Sequence, residues 1–167
     1  MRFERLDFLP MTEADIPVLT PIMKRAFEED ARQSGRPDGG PEGYDDGEFL
    51  RKRLALPEVE GYRIDLDEKT IGAVLLFIHA ERACGHLSCI FIDNEYMDTG
   101  YGAMAWRFIE HTYPNIDTWT LNTSAVSYRN HCFYIGKLGF QVVAVDGGRD
   151  KYTAMFQLKK EIGRQHI

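Results

Sequence analysis

The chain has 167 residues, 20 Lys and Arg against 26 Asp and Glu for a formal net charge of −6, and 44% hydrophobic residues. A chain near this length buries roughly 70% of its unfolded surface, so a single domain over 1–167 is expected. Charged residues at 28% with 12% aromatics exclude disordered and collagen-like classes, and a net negative charge without a Lys/Arg cluster argues against nucleic acid as a ligand.

Residues 3–8 alternate apolar and charged side chains, the pattern of a half-buried strand. Ile16, Leu19, Met23, Ala26 and Phe27 then recur at helical spacing, with Thr12 or Asp15 able to cap the start and Pro17 suited to a first turn. Pro21 either kinks this helix or opens a second one behind Thr20. Residues 34–47 hold five glycines and two prolines. Such a segment is a loop within the domain, because too few residues precede it for a separate core, and loops of this length commonly carry function. A short helix over 48–56 follows, ended by Pro57.

From Gly61 the period changes to two. Residues 62–66, 70–79 and 86–92 read as consecutive strands with turns at 67–69 and 81–85. Tyr101, Met104, Ala105, Phe108 and Ile109 mark an amphipathic helix with Pro114-Asn115 as its exit. Residues 119–123 form a further strand, 130–138 a short helix closed by Gly139, and 140–145 with 152–158 a hairpin around Gly147-Gly148. A meander followed by one β-α-β crossover gives an α/β (α+β) fold. Its mixed, mostly antiparallel sheet of about seven strands is flanked by about four helices and is not doubly wound.

The longest apolar run, residues 71–78, falls far short of the about 20 residues a membrane span needs, and the first residues carry no apolar signal core. Three cysteines cannot build a disulfide framework, so a cytoplasmic protein with no membrane partner is expected. Cys84-x-His86-x-x-Cys89 suggests a metal site, but alternation along a strand turns Cys89 away from the other two, and no metal is expected. The run Arg51-Lys52-Arg53 reads as a solvated helix face, and Trp106 and Trp119 as core.

The most informative run is 90–103. A buried strand ends, a polar turn follows, and Gly100 and Gly102 open an amphipathic helix. Glycines let a backbone approach closely, and the first amides of a helix with its dipole attract anions; a turn that merely needs conformational freedom gives the same pattern. One strand later comes Asn130-His131-Cys132-Phe133-Tyr134-Ile135-Gly136-Lys137-Leu138-Gly139-Phe140. With these two segments the chain resembles the GCN5-related N-acetyltransferase (GNAT) superfamily. Met97-x-x-Gly100-x-Gly102 matches its Gln/Arg-x-x-Gly-x-Gly/Ala coenzyme A loop. Asn130, Tyr134 and the Lys137-Leu138-Gly139-Phe140 ending match its later helix. The element order agrees over about residues 2–158. Met97 departs from the hydrogen-bonding residue usual there, and Asp98 adds a negative charge beside the expected pyrophosphate, which Lys137 or Arg129 would offset.

The resemblance implies acetyl transfer from acetyl-coenzyme A to a small-molecule or peptide amine by direct attack, with a homodimer left open. Strand 87–92 would splay from strand 119–123 and bind pantetheine along Ile90 and Ile92, where a backbone N–H would hold the oxyanion. Met97, Asp98, Thr99, Gly100, Tyr101, Gly102 and Ala103 would hold the phosphates, together with Asn130 and Lys137. Tyr134 would protonate the departing thiolate, a core tyrosine packed on Phe108 or Phe140 being the other reading. His86 stands where the histone-acetyltransferase branch carries a glutamate base; Glu95, Asp93 and a water chain are rivals, as is a backbone-bonded histidine. Asp38, Glu42, Asp45 and Asp46 make the 34–47 loop acidic and favour a cationic amine. Two other classes stay open: a coenzyme A-binding module without turnover, and a dinucleotide enzyme, since Gly100-x-Gly102-x-x-Ala105 fits a variant fingerprint.

Overall fold

The computed structural model describes residues 5–163. Its elements follow the expected order: β1 (Leu6–Pro10), α1 (Ile16–Ser34), α2 (Glu48–Leu54), β2 (Val59–Leu66), β3 (Lys69–His79), β4 (Cys84–Ile92), α3 (Tyr101–Thr112), β5 (Thr118–Ser124), α4 (Tyr128–His131), β6 (Gln141–Asp146) and β7 (Met155–Glu161). A π-helical segment, Cys132–Lys137, continues α4. The seven strands form one sheet ordered β1-β2-β3-β4-β5-β7-β6. β4 and β5 are parallel and every other pair is antiparallel. A sheet with one parallel pair lacks the repeated β-α-β units that a dinucleotide fingerprint needs, which removes that alternative.

Several boundaries differ from the sequence reading; β2, for one, begins at Val59 and not at residue 62. The first strand begins at Leu6 among the described residues, and Phe3 and Glu4 lie outside them. Pro21 opens no second helix: α1 runs unbroken to Gly35 (φ 70°), and the Thr20 hydroxyl donates to the Ile16 carbonyl at 2.7 Å in the turn where Pro21 lacks a donor. β7 starts later than expected because the Asp150 carboxylate accepts the Tyr152 and Thr153 amides at 2.9 and 3.1 Å and holds those residues in a turn.

Alternation along β3 sends successive side chains to opposite faces. Ala73 and Leu75 pack with Leu19, Met23 and Leu50 under α1 and α2; Val74 and Leu76 pack with Trp106, Ile109, Leu138 and Phe140 under α3 and α4. Trp106 meets Trp119 edge to face at 5.2 Å and Phe140 at 5.3 Å, as their core assignment requires. Gly85 of β4 has no side chain because Trp119 occupies the space: an added Cβ would lie 2.3 Å from its ring. Gly85→Ala therefore overpacks a fully buried aromatic cluster and should cost about 1–3 kcal/mol. A lower denaturant midpoint at unchanged slope is the expected result; an unchanged midpoint would mean that Trp119 moves aside freely.

Candidate active site

β4 and β5 pair only from Cys84 with Thr118 to Leu87 with Leu121. Beyond that point β4 stays with β3 to Ile92 and β5 stays with β7 to Ser124, and a cleft of about 840 Å³ opens between them. The parting coincides with a bulge. Leu76 pairs with Leu87 but Leu75 with Cys89, which makes Ser88 one residue too many on β4. Leu87 consequently packs under α3 while Cys89 packs under α1 and α2. The expectation that Cys89 faces away from His86 fails here, because the bulge breaks the alternation on which it rested. Even so, no cluster of three His, Cys, Asp or Glu side chains arranged for a metal ion occurs among the described residues.

His86, Ile90, Ile92, the segment 97–103, Asn130, Tyr134 and Lys137, which the sequence nominates for catalysis or cofactor contact, all border this one cleft. Gly100 caps α3 with φ at 90°, and an added Cβ there would meet nothing within 4 Å. Tyr101, Gly102 and Ala103, the first turn of α3, border the cleft, at the end of the helix whose dipole attracts anions. Gly102 is small for a different reason, since a Cβ would lie 3.0 Å from the Phe133 ring. Met97 packs against the α1–α2 core, so its departure from the usual motif leaves an apolar side chain where a polar one was expected. Asp98, also left-handed (φ 60°), pairs across the cleft with Arg129 at 3.6 Å. Asn130 ties α4 to β5 through Thr123 Oγ1 at 3.2 Å.

Tyr134 is 9% exposed. It packs tilted on Phe133 at 5.1 Å and edge to face on Phe140 at 6.3 Å, so it is a core tyrosine and a cleft residue at once. Burial, followed by the nearness of Cys89 and Asp30, holds its phenol well above the usual value, with Arg129 opposing. The π-helical turn positions the ring: Leu138 N–H reaches the Phe133 carbonyl at 3.0 Å, and Phe140 N–H reaches that of Tyr134 at 3.0 Å. Behind it lies a contact that the sequence does not reveal. Ser127, fully buried, donates its hydroxyl to Asp30 of α1 at 2.6 Å and accepts the Asn130 amide as the α4 cap. Arg36 completes the group at 2.9 Å from Asp30.

His86 stands where β4 and β5 begin to part. Its Nδ1 lies 2.8 Å from Thr120 Oγ1, and its ring leans on Phe77 at 6.1 Å. Burial, then the charge of Arg53, pushes its pKa below the usual histidine value, so it is neutral at pH 7. The rival carboxylates do not border the cleft: Asp93 is clamped by Arg25 at 3.0 and 2.7 Å, and Glu95 is exposed beside Lys69. Of the four acidic residues in the 34–47 loop, Asp38 borders the cleft and the other three do not.

Arg53 corrects the reading of Arg51-Lys52-Arg53 as a solvated face. Arg51 and Lys52 are exposed, but Arg53 turns inward. Its guanidinium lies over Phe49 at 4.8 Å and Phe77 at 5.6 Å, and its Nε donates to Ser88 Oγ at 3.0 Å. Leu50, Arg53 and Leu54 share the inner face of α2 at helical spacing, which was the available signal.

No family model matches the chain. A curated relative, an uncharacterized protein named YrkN from Bacillus subtilis (strain 168), is 28% identical over 132 residues, or 78% of this chain and 70% of its own length. Among solved structures, the PaiA N-acetyltransferase of Thermoplasma acidophilum in complex with coenzyme A has a TM-score of 0.73 at 17% identity, covering 95% of this chain and 99% of its own. A GNAT family acetyltransferase from Elizabethkingia anophelis with acetyl-CoA bound has a TM-score of 0.67 at 14% identity, covering 94% and 98%. The chain has the GNAT fold. No helix among the described residues is long and apolar enough to cross a membrane.

The left-handed backbone at Gly100 gives a direct test of the α3 cap. Gly100→Ala meets no steric obstacle, so its cost is conformational, about 1 kcal/mol. The melting temperature should fall by about 2–4 °C; no change would mean that the cap relaxes out of the left-handed region.

Proposed function

We propose that the protein is a cytoplasmic N-acetyltransferase that moves an acetyl group from acetyl-coenzyme A to an amine. One observation carries this reading. The β4 edge freed beyond Leu87, the first turn of α3, Tyr134 and His86 all border the same cleft. The likeness to coenzyme A-bound acetyltransferase structures supports it.

In this mechanism the α3 first turn holds the pyrophosphate through backbone amides, which compensates for the missing polar side chain at Met97. Arg129 and Lys137 add positive charge, with Arg129 exchanging Asp98 for phosphate. Backbone amides of β4 near Ile90 and Ile92 pair with the pantetheine arm and stabilise the oxyanion. His86, with Nδ1–H donated to Thr120, presents the Nε2 lone pair and takes a proton from the acceptor ammonium, directly or through water. The amine nitrogen bonds to the thioester carbon as the C–S bond breaks, and it sheds its second proton to water. Tyr134 gives its proton to the leaving sulfur and recovers one from solvent. Burial keeps the phenol protonated across neutral pH, the state a proton donor needs.

The test is acetyl-coenzyme A consumption over a broad amine panel, with Tyr134→Phe alongside. The variant should bind acetyl-coenzyme A nearly normally and turn over about 10²-fold more slowly. Lost binding with unchanged turnover per complex would make Tyr134 a packing residue, and wild-type binding without turnover on any amine would make the protein a coenzyme A-binding module.

For His86 the sign follows from its lowered pKa. The base form persists as pH falls through 6.5, so the acid limb of the rate profile should lie below that value rather than at it. His86→Gln should remove the limb. A variant profile identical in shape to wild type would assign the proton transfer to water.

A further inference from the structure

We propose that the acceptor is an amine that carries a carboxylate, an amino-acid-type molecule, and that Arg53 is the residue that reads the carboxylate. The proposal rests on the acetyltransferase reading and names the substrate class of its cleft.

The charges bordering the cleft give the argument. Three arginines border it. Arg36 is matched by Asp30 at 2.9 Å and Arg129 by Asp98 at 3.6 Å. Arg53 forms no ion pair among the described residues; its contacts are the two rings and the Ser88 hydroxyl. A guanidinium taken partly out of water without an anion is held at a cost, and aromatic stacking offsets part of it. Those contacts also fix its orientation. With Nε spent on Ser88, the two terminal nitrogens are left as parallel donors, the fork that fits a planar carboxylate in bidentate fashion.

Position supports the same conclusion. Ser88 lies two residues beyond His86 on β4, at most about 7 Å along the strand, which the bulge shortens. Arg53 is also near enough to lower the His86 pKa. An acceptor whose amine faces His86 can therefore reach Arg53 with a carboxylate a few bonds away. Asp38 borders the cleft and forms no ion pair among the described residues, which gives the ammonium a carboxylate of its own. A polyamine fits poorly, because its second cation would meet Arg53. This reverses the preference drawn from the acidity of the 34–47 loop, most of whose carboxylates do not border the cleft.

The experiment is calorimetric titration of the protein saturated with coenzyme A, using free L-amino acids, their carboxamides and spermidine. At least one free amino acid should bind about 10–100-fold more tightly than its carboxamide, the range expected when a charge-assisted pair is lost. Arg53→Gln should erase that difference, Arg53→Lys should restore part of it, and coenzyme A affinity should stay at the wild-type value in both. Equal binding of acid and carboxamide, preference for spermidine, no binding by any amino acid, or an equal loss for acid and carboxamide in Arg53→Gln would each overturn the proposal. Failure of the acetyltransferase reading looks different: coenzyme A itself would not bind, or would bind without turnover on any amine, and the titration, on the free protein in the first case, would still show whether Arg53 discriminates a carboxylate.

Discussion

The site exists because two parallel strands stop pairing. Cys84 to Leu87 of β4 meets Thr118 to Leu121 of β5, and the ladder then ends although both strands continue. A strand edge left open inside a domain exposes amides and carbonyls that want partners. Here they form one wall of a cleft, ready to accept an extended chain from outside. The extra residue at Ser88 adds local twist where the strands must separate. The same residue sends Cys89 to the α1–α2 face and gives Arg53 its hydroxyl partner. One bulge thus shapes both the open β4 edge of the cleft and its α2 wall.

Parting the strands would leave the two halves of the molecule poorly joined without ties elsewhere. Trp106, Trp119 and Phe140 hold the paired end with edge-to-face contacts. At the open end the joining is polar. Asp30 on α1 accepts from Ser127, which caps α4, and Asn130 on α4 donates to Thr123 on β5. Hydrogen bonds to a buried carboxylate are stronger than neutral ones, and losing one partner leaves the other unsatisfied. The helix that carries Tyr134 is therefore anchored from both sides of the gap its ring borders.

Much of this was legible in sequence, for reasons that differ by residue. Gly100, Asn130 and Tyr134 lie in segments whose spacing fixes their place at a helix start or along a helix, so local pattern was enough. The element order and the mixed, mostly antiparallel sheet followed from period-two segments and one crossover. Ser88 was hidden because a bulge leaves an alternating strand looking regular. Asp30 and Ser127 are 97 residues apart, and neither hydropathy nor turn chemistry joins them. Arg53 was masked by its neighbours Arg51 and Lys52: three consecutive cations look like a wet surface, although a helix turns each to a different side. The continuity of α1 through Pro21 depended on the Thr20 hydroxyl, a contact whose outcome propensity alone leaves undecided.

The glycine-rich wall of the cleft combines a firm shape with a loosely bonded backbone. Gly39 and Gly40 leave room for the Tyr44 ring, which would clash with a Cβ at Gly39, would crowd one at Gly40, and also leans on Phe27. Few backbone bonds support the segment; the Tyr44 amide to Pro41 and the Phe49 amide to Gly43 are the main ones. Amide protons along residues 37–46 therefore exchange with solvent by small openings that need no global unfolding, while one aromatic ring keeps the wall in place. Hydrogen exchange and side-chain order would therefore report different things about this loop: the first a labile backbone, the second a fixed boundary to the cleft.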